Sequence, residues 1–311
     1  MQLMLASPAA VVTAQETHLF SLLEPLFRAW GPLEGDTPRQ GNKNSPETRK
    51  IGLSLLFGEE EYFALIRQFS DRVWARILDK KPAATVILEK TPQHVFNWRD
   101  ILHIYPDAYF LHLVRDPRAV VSSILAAQSK WSTGWAPFLV DACRMWLKSV
   151  GEGREIAKRT KNYREIRYED LLTNGQETLR STFAWMGVEL TAAECQEVLD
   201  RHTIDKLRSG AVGDAPWNVG EEPQGFFRKG GAEEWKSELS RHQVLFIEAM
   251  TRREMLIFGY QAVSKGGLTP ASAILRLEIM LKRIHSVLYW QARRLAEDIR
   301  RREFTLSDLL R

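Results

Sequence analysis

"AYFLHLVRDPRAVVSSIL", Ala108 to Leu125, is the stretch whose reading decides the fold. Ala108 to Val114 is a short apolar run of the length of a buried strand. It stops at Arg115-Asp116-Pro117-Arg118. Asp116 is a good N-cap and Pro117 suits the first helical position, so a helix is predicted from Pro117 to Gln128. A buried strand that feeds straight into a helix is the building block of a parallel sheet covered by helices. Ligands of such sheets sit outside the carboxyl ends of the strands. Two arginines, a proline and, further on, Ser122 and Ser123 cluster at that place.

The same alternation extends in both directions. Val11-Val12, Thr85–Glu89 and Tyr163–Asp170 read as further strands. Helical spacing predicts helices over residues 2–6, in "AQETHLFSLLEPLF", and over Glu59–Leu78, Pro92–His103, Trp135–Arg159, 175–187, 191–206 and Glu233–Phe258. Residues 31–52 and 207–231 are rich in Gly, Pro and polar residues and read as loops. The fold class that follows is α/β, a three-layer parallel sheet flanked by helices. A C-terminal helix is appended beyond a "SKGGLTP" linker, giving a domain over 1–262 and an appendage over 263–311.

Composition narrows the function. The 311 residues are 44% hydrophobic and 26% charged, enough for a large core. No run is long and apolar enough to span a bilayer, and there is no internal repeat. "MQLMLASPAAVVTAQE" lacks a positive leading region and is interrupted by Pro8, so it reads as folded chain, not a targeting peptide. Cys143 and Cys195 are far apart and have no metal-ligand spacing; a reducing, cytoplasmic setting is expected, with no metal. The net charge of +4 and the pI near 9.0 favour anionic ligands weakly, since most lysines and arginines are expected to be solvated surface. No basic stripe with interleaved aromatics points to nucleic acid, and no G-x-x-x-x-G-K-[ST] points to a P-loop kinase.

The strand ends carry the chemistry. "EKTPQH" (Glu89–His94) follows one strand, "RDPRAVVSS" another and "YEDL" a third, and "GFFRKGGAEEWKSEL" (Gly225–Leu239) lies in the late loop. Each alone has a bland reading as a cap, a strand end or a surface lysine. Together they supply what a phosphate or sulfate ester needs: fixed cations, hydroxyl donors, a helix N-terminus, and glycines that let backbone approach.

"EKTP", "HLVRDPRAVVSS", "IRYEDLL" and "FFRKGGAEEWKSEL" resemble, in that order, the motifs of sulfotransferases that use 3′-phosphoadenylyl sulfate (PAPS). The resemblance covers about residues 85–259 and, more weakly, 1–24. It implies a P-loop NTPase-like sulfotransferase fold and transfer of a sulfuryl group from PAPS to a hydroxyl or amine, without a metal. It implies that Arg115 and Ser123 bind the 3′-phosphate; periodicity alone does not choose Ser123 over Ser122. Arg228, Lys229 and Gly230 would hold the same phosphate from the late loop, and Tyr168 would line the adenine side. Lys90 would neutralise charge at the transferring group. Where many members carry a histidine two residues after this lysine, this chain has Pro92. Another branch of the family uses a glutamate in a segment similar to "AQETHLF", which makes Glu16 the preferred base, with His94 the second candidate. The acceptor is a small molecule, a glycan or a peptide, its pocket shaped by residues 31–52 and by Trp131 and Trp135. The rival reading is a non-catalytic nucleotide-binding or scaffolding relative.

The family's R-S-G-T-T phosphate loop, which grips the cofactor's 5′ end, does not occur in this sequence. The family places this loop and its strand just ahead of the residues that begin here, so either the sequence is truncated, the preferred reading, or a non-catalytic relative has lost them; without them the 311-residue chain is expected to be weakly stable and poorly active. In the C-terminal helix, Ile274, Leu281, Leu288 and Leu295 recur every seven residues with Leu277 and Ile284 between them. Three readings of this stripe stand: packing on the chain's own surface, homodimerisation, or contact with an anionic membrane surface through Arg293, Arg294 and Arg300–Arg302.

Overall fold

A computed structural model describes residues 1–30, 53, 56–131, 136–210, 227, 230–264 and 270–308. The expected loop at 31–52, Trp135, Arg228, Lys229, most of the linker and the side chains of Arg300–Arg302 lie outside what is described. In chain order the elements are α1 (Gln2–Ala6), β1 (Val11–Thr13), α2 (Leu19–Ala29), α3 (Glu59–Leu78), β2 (Val86–Leu88), α4 (Trp98–Ile104), β3 (Phe110–Val114), α5 (Pro117–Trp131) and α6 (Leu139–Arg159). They continue with β4 (Tyr163–Arg167), α7 (Tyr168–Thr173), α8 (Gly175–Trp185), α9 (Ala192–Arg201), α10 (Ile204–Arg208), α11 (Trp235–Glu238), α12 (Arg241–Ile257) and α13 (Pro270–Asp308). The chain makes two compact units, one of residues 1–113, 152–166 and 170–230, the other of 114–151, 167–169 and 231–311.

In the first unit β1 and β2 pair in parallel, with Val11 opposite Val86 and Thr13 opposite Leu88. Lys81 fixes where β1 begins: its Nζ donates to the carbonyls of Ala6, Pro8 and Val11 at 3.0, 2.7 and 2.9 Å. It thereby satisfies the Ala6 carbonyl that α1 leaves open at its C-terminus and ties the turn to the first residue of β1. β3 pairs with β4. Leu5, Val11, Leu179 and Phe183 form a core against which Val86, Leu88 and Leu111 pack. β1 is buried throughout, whereas β2 is half-buried. A second core gathers Phe20 and Leu23 of α2, Ile66 of α3 and Ile104 of α4.

In the second unit α5, α6 and α12 close on Val121, Val140, Phe246 and Ile247, all fully buried. α13 packs on this unit: Ile279 joins that core, and Ser286 donates to Asp141.

α3 and α5 start where the sequence places them. Other boundaries moved for local reasons. α2 begins only at Leu19 because His18 adopts φ +52°, which no helix accommodates. Pro92–Phe96 is a 3-10 turn ahead of α4, not part of it. Tyr168 opens α7 instead of ending a strand. The helix expected over Glu233–Phe258 is two, because Ser240 and Gln243 form a capping box that starts α12 afresh.

Candidate functional site

The β1–β2 register brings two chain turns side by side, Ala14–His18 and Glu89–Thr91. The hub between them is Glu89. Its carboxylate accepts from the Thr17 hydroxyl (2.8 Å) and backbone N–H (3.3 Å), from the Thr91 hydroxyl (2.7 Å) and N–H (3.1 Å), and from His94 Nδ1 (2.7 Å). Burial alone would raise its pKa, but the hydrogen bonds from His94, Thr91 and Thr17 outweigh it and bring Glu89 down to about 2. The left-handed turn at His18 aims the next backbone donors at the same cluster: His18 N–H reaches Thr91 Oγ1 (3.1 Å) and Phe20 N–H reaches His94 Nε2 (3.1 Å).

This scaffold presents the sequence-predicted residues differently. Glu16 and Lys90 meet as an ion pair, both partly exposed. His18 Nε2 lies 3.6 Å from the other Glu16 oxygen. His94 is buried, and both ring nitrogens are engaged. Its Nε2 accepts from a backbone N–H, so the ring proton sits on Nδ1 and is donated to Glu89.

In the second unit the two arginines of "RDPR" take opposite roles. Arg118 points inward: Nε and Nη2 make a fork to Asp116 (3.0 and 2.7 Å), and Nη1 reaches Glu248 (2.7 Å). Glu248 also accepts the backbone N–H groups of Val263 and Ser264 (2.8 and 2.9 Å). Asp116 Oδ1 takes the Arg118 N–H (2.8 Å), which is the predicted N-cap of α5. Arg115 lies over the Tyr168 ring at 4.3 Å and donates from Nη2 to the Gly231 carbonyl (2.8 Å). Its Nε–H is buried with no acceptor among the described residues. A buried guanidinium N–H left open at the start of a helix fits an anionic ester oxygen. Burial holds the Tyr168 phenol above its ordinary pKa even beside Arg115, so the ring is a neutral stacking surface. Ser122 is buried and donates to Glu238 (2.5 Å). Ser123 is half-buried and makes no side-chain hydrogen bond among the described residues. Gly230 has φ +79°, a conformation that favours glycine.

Sequence reasoning missed Glu89 as the organiser and Arg118 as the anchor. Thr17 and Thr91 beside an acid were the available signal for the first. For the second the only nearby signal was Asp116, and its other partner, Glu248, is distant in the chain. Among the described residues no group of His, Cys, Asp or Glu could hold a metal ion.

The architecture and these clusters define an α/β protein with cationic and titratable side chains at strand-to-helix junctions. The chain belongs to the sulfotransferase family: the family profile described as "Sulfotransferase family" matches residues 1–192. It is similar to the omega-hydroxy-beta-dihydromenaquinone-9 sulfotransferase Stf3 of Mycobacterium bovis and of Mycobacterium tuberculosis, each 31% identical over 149 residues, 42% of this chain. The match spans 38% of the length of those relatives. The fold is shared with the sulfotransferase domain of the Synechococcus PCC 7002 olefin synthase (TM-score 0.52, 18% identity, 84% of this chain and 89% of that one). It is shared also with the sulfotransferase domain of the curacin biosynthetic pathway (TM-score 0.50, 18% identity, 84% and 92%).

Proposed function

We propose that this chain moves a sulfuryl group from 3′-phosphoadenylyl sulfate to a hydroxyl or amine of a small-molecule acceptor. The observation that carries the proposal is Arg115 in a member of this family: a guanidinium over Tyr168, at the head of α5, with a buried N–H open to an anion. Arg115 binds the 3′-phosphate, Ser123 adds a hydroxyl donor, and Arg228, Lys229 and Gly230 hold the same phosphate. Tyr168 lies along the adenine. The donor supplies a sulfuryl group on a phosphate leaving group. As the acceptor's oxygen or nitrogen bonds to sulfur and the sulfur–phosphate oxygen bond breaks, the acceptor's proton passes to the Glu16 carboxylate. Lys90, paired with Glu16, offsets the negative charge that develops. Glu16 is preferred to His94 because both His94 nitrogens are committed inside the fold.

The names of the curated relatives specify an ω-hydroxylated dihydromenaquinone. An ω-hydroxyl on an isoprenoid chain is therefore the acceptor to test first. The two buried free cysteines fit a reducing compartment, and we place the chain in the cytoplasm.

The test pairs binding with turnover in the full chain. Arg115→Ala is expected to weaken the product nucleotide 3′,5′-ADP about tenfold or more by calorimetry. Glu16→Gln is expected to lower transfer from labelled donor by about a hundredfold or more while nucleotide affinity stays unchanged. Nucleotide binding indifferent to Arg115 overturns the site. Arg115-dependent binding with no transfer to any acceptor makes the chain a non-catalytic relative.

A further inference from the structure

The heptad stripe of α13 is outside, not inside. Ile274, Leu277, Leu281, Ile284, Leu288 and Leu295 are each at least half exposed. The opposite face of the helix makes the contacts with its own unit: Ile279 in the core, Ser286 on Asp141, Lys282 over the Phe246 ring, and His285 and Tyr289 edge-on to Phe138. The helix thus has a partner on one side and a continuous apolar face on the other.

Two observations say what covers that face. The first is its breadth. Met280 and Val287 flank the stripe and are also exposed, so from Leu277 to Leu288 the apolar face is three positions wide per heptad, narrowing beyond it at Gln291 and Arg294. A paired coiled coil is a narrower seam bordered by charges that match those of its partner. Of the bordering positions, Met280, Val287, His285 and Ala292 carry no fixed charge, and the two that do, Glu278 and Arg294, stand at opposite ends of the stripe, with Glu278 already paired inside the chain. The second is the sign of the charge. Over residues 270–296 the acids are Glu278 alone, against Arg276, Lys282, Arg283, Arg293 and Arg294. Glu278 is already held by Lys282 (2.7 Å) and His242 (2.9 Å). Two such faces brought together would repel.

Beside the stripe runs an open groove of about 270 Å³, lined by Ile284, Val287 and Leu288 on its apolar side and by the exposed Arg144 and Arg283. Guanidinium groups next to exposed aliphatic side chains match a molecule with an anionic head and an apolar tail. No helix among the described residues is long and apolar enough to cross a membrane. A one-sided apolar helix with a basic border lies in the plane of the lipid headgroups instead.

We infer that α13 docks this protein on the surface of an anionic lipid bilayer, with the Ile274–Leu295 stripe in the acyl boundary and Arg144 and Arg283 on lipid phosphates. The inference rests on α13 and α6 alone and stands or falls apart from the sulfotransferase reading. The experiment is vesicle flotation of the full chain with phosphatidylcholine alone and with added phosphatidylglycerol. Binding is expected only with the anionic lipid, and is expected to fall as salt rises. L281E/L288E is expected to abolish it. R144Q/R283Q, which leaves the apolar face intact, is expected to weaken it about tenfold or more. Circular dichroism and an unchanged thermal unfolding midpoint establish that the variants are folded. Inorganic phosphate that competes as well as anionic vesicles would assign the arginines to a free anion and overturn the docking. So would equal binding to neutral vesicles, indifference to both variants, or a dimer in light scattering that L281E/L288E dissolves.

Discussion

Arg115 and Arg118 show how far a single residue can be read from sequence. That the cluster at 115–118 sits where a strand meets a helix start follows from the sequence itself, and among the described residues a buried donor of Arg115 has no acceptor there. That Arg118 turns inward does not follow from Asp116 alone, two residues away, although two of its side-chain bonds go there. It depends on Glu248, which a different helix delivers, and on Trp235, whose ring lies 4.0 Å beneath the guanidinium. Glu89 was hidden for a similar reason: its five donors come from two chain segments that only strand register brings together. Because its folded pKa is depressed to about 2, its contribution is present above the ordinary carboxylate range and is lost as pH falls from about 4.5 toward 2. Glu89→Gln keeps the shape but removes the charge and one acceptor oxygen's worth of bonding. It is expected to lower stability at neutral pH by about 3 kcal/mol and to flatten the acid limb of the stability curve. Urea unfolding at a series of acidic pH values checks both; an acid limb as steep as in the wild type would show that another group sets it.

At the scale of elements, helices whose caps and periodicity agree were legible: α5 has Asp116 and Pro117 at its start, and α3 opens on Glu59-Glu60-Glu61 against the helix dipole. The misread boundaries fall where one residue overrides periodicity, His18 by its backbone angle and Ser240 by its capping box. Packing between elements adds a constraint that propensity cannot show. α6 contains Gly151 and Gly153, and helix propensity alone favours alanine at both by about 1 kcal/mol. A Cβ on Gly151 meets nothing within 4 Å. One on Gly153 would stand 2.4 Å from His112 Cε1, in a ring already held by Tyr163 at 2.7 Å. The overlap is expected to cost about 1–3 kcal/mol and to exceed the propensity gain. Gly151→Ala should therefore raise the melting temperature and Gly153→Ala lower it. Removing the ring with His112→Ala should make the Gly153→Ala step favourable, and a double-mutant cycle followed by thermal unfolding measures that reversal.

For the whole molecule, the division into two units was not legible, because each gathers chain from three separate stretches. Periodicity ranks residues as buried but does not say which core they enter. The two thiols make the division measurable. Cys143 lies in the core of α5, α6 and α12, and Cys195 in the core formed with α8. Both are buried and free. Burial pushes the Cys143 thiol up to about 12 and raises Cys195 as well, so neither offers a thiolate to an electrophile in the native state. Labelling then requires opening of the core that holds the thiol, and its rate in mild denaturant reports that opening free energy. The chain passes between the units inside β3 and within α6, so neither can unfold without breaking an element it shares. Single-thiol variants Cys143→Ala and Cys195→Ala are therefore expected to protect their remaining cysteine to the same extent, within about 1 kcal/mol, and both to match global unfolding. If Cys195 were labelled well below the global transition while Cys143 stayed protected, the first unit would open on its own. The residues at the ends of β1 and β2, Glu16 and Lys90 among them, would then sit on the less stable part of the molecule.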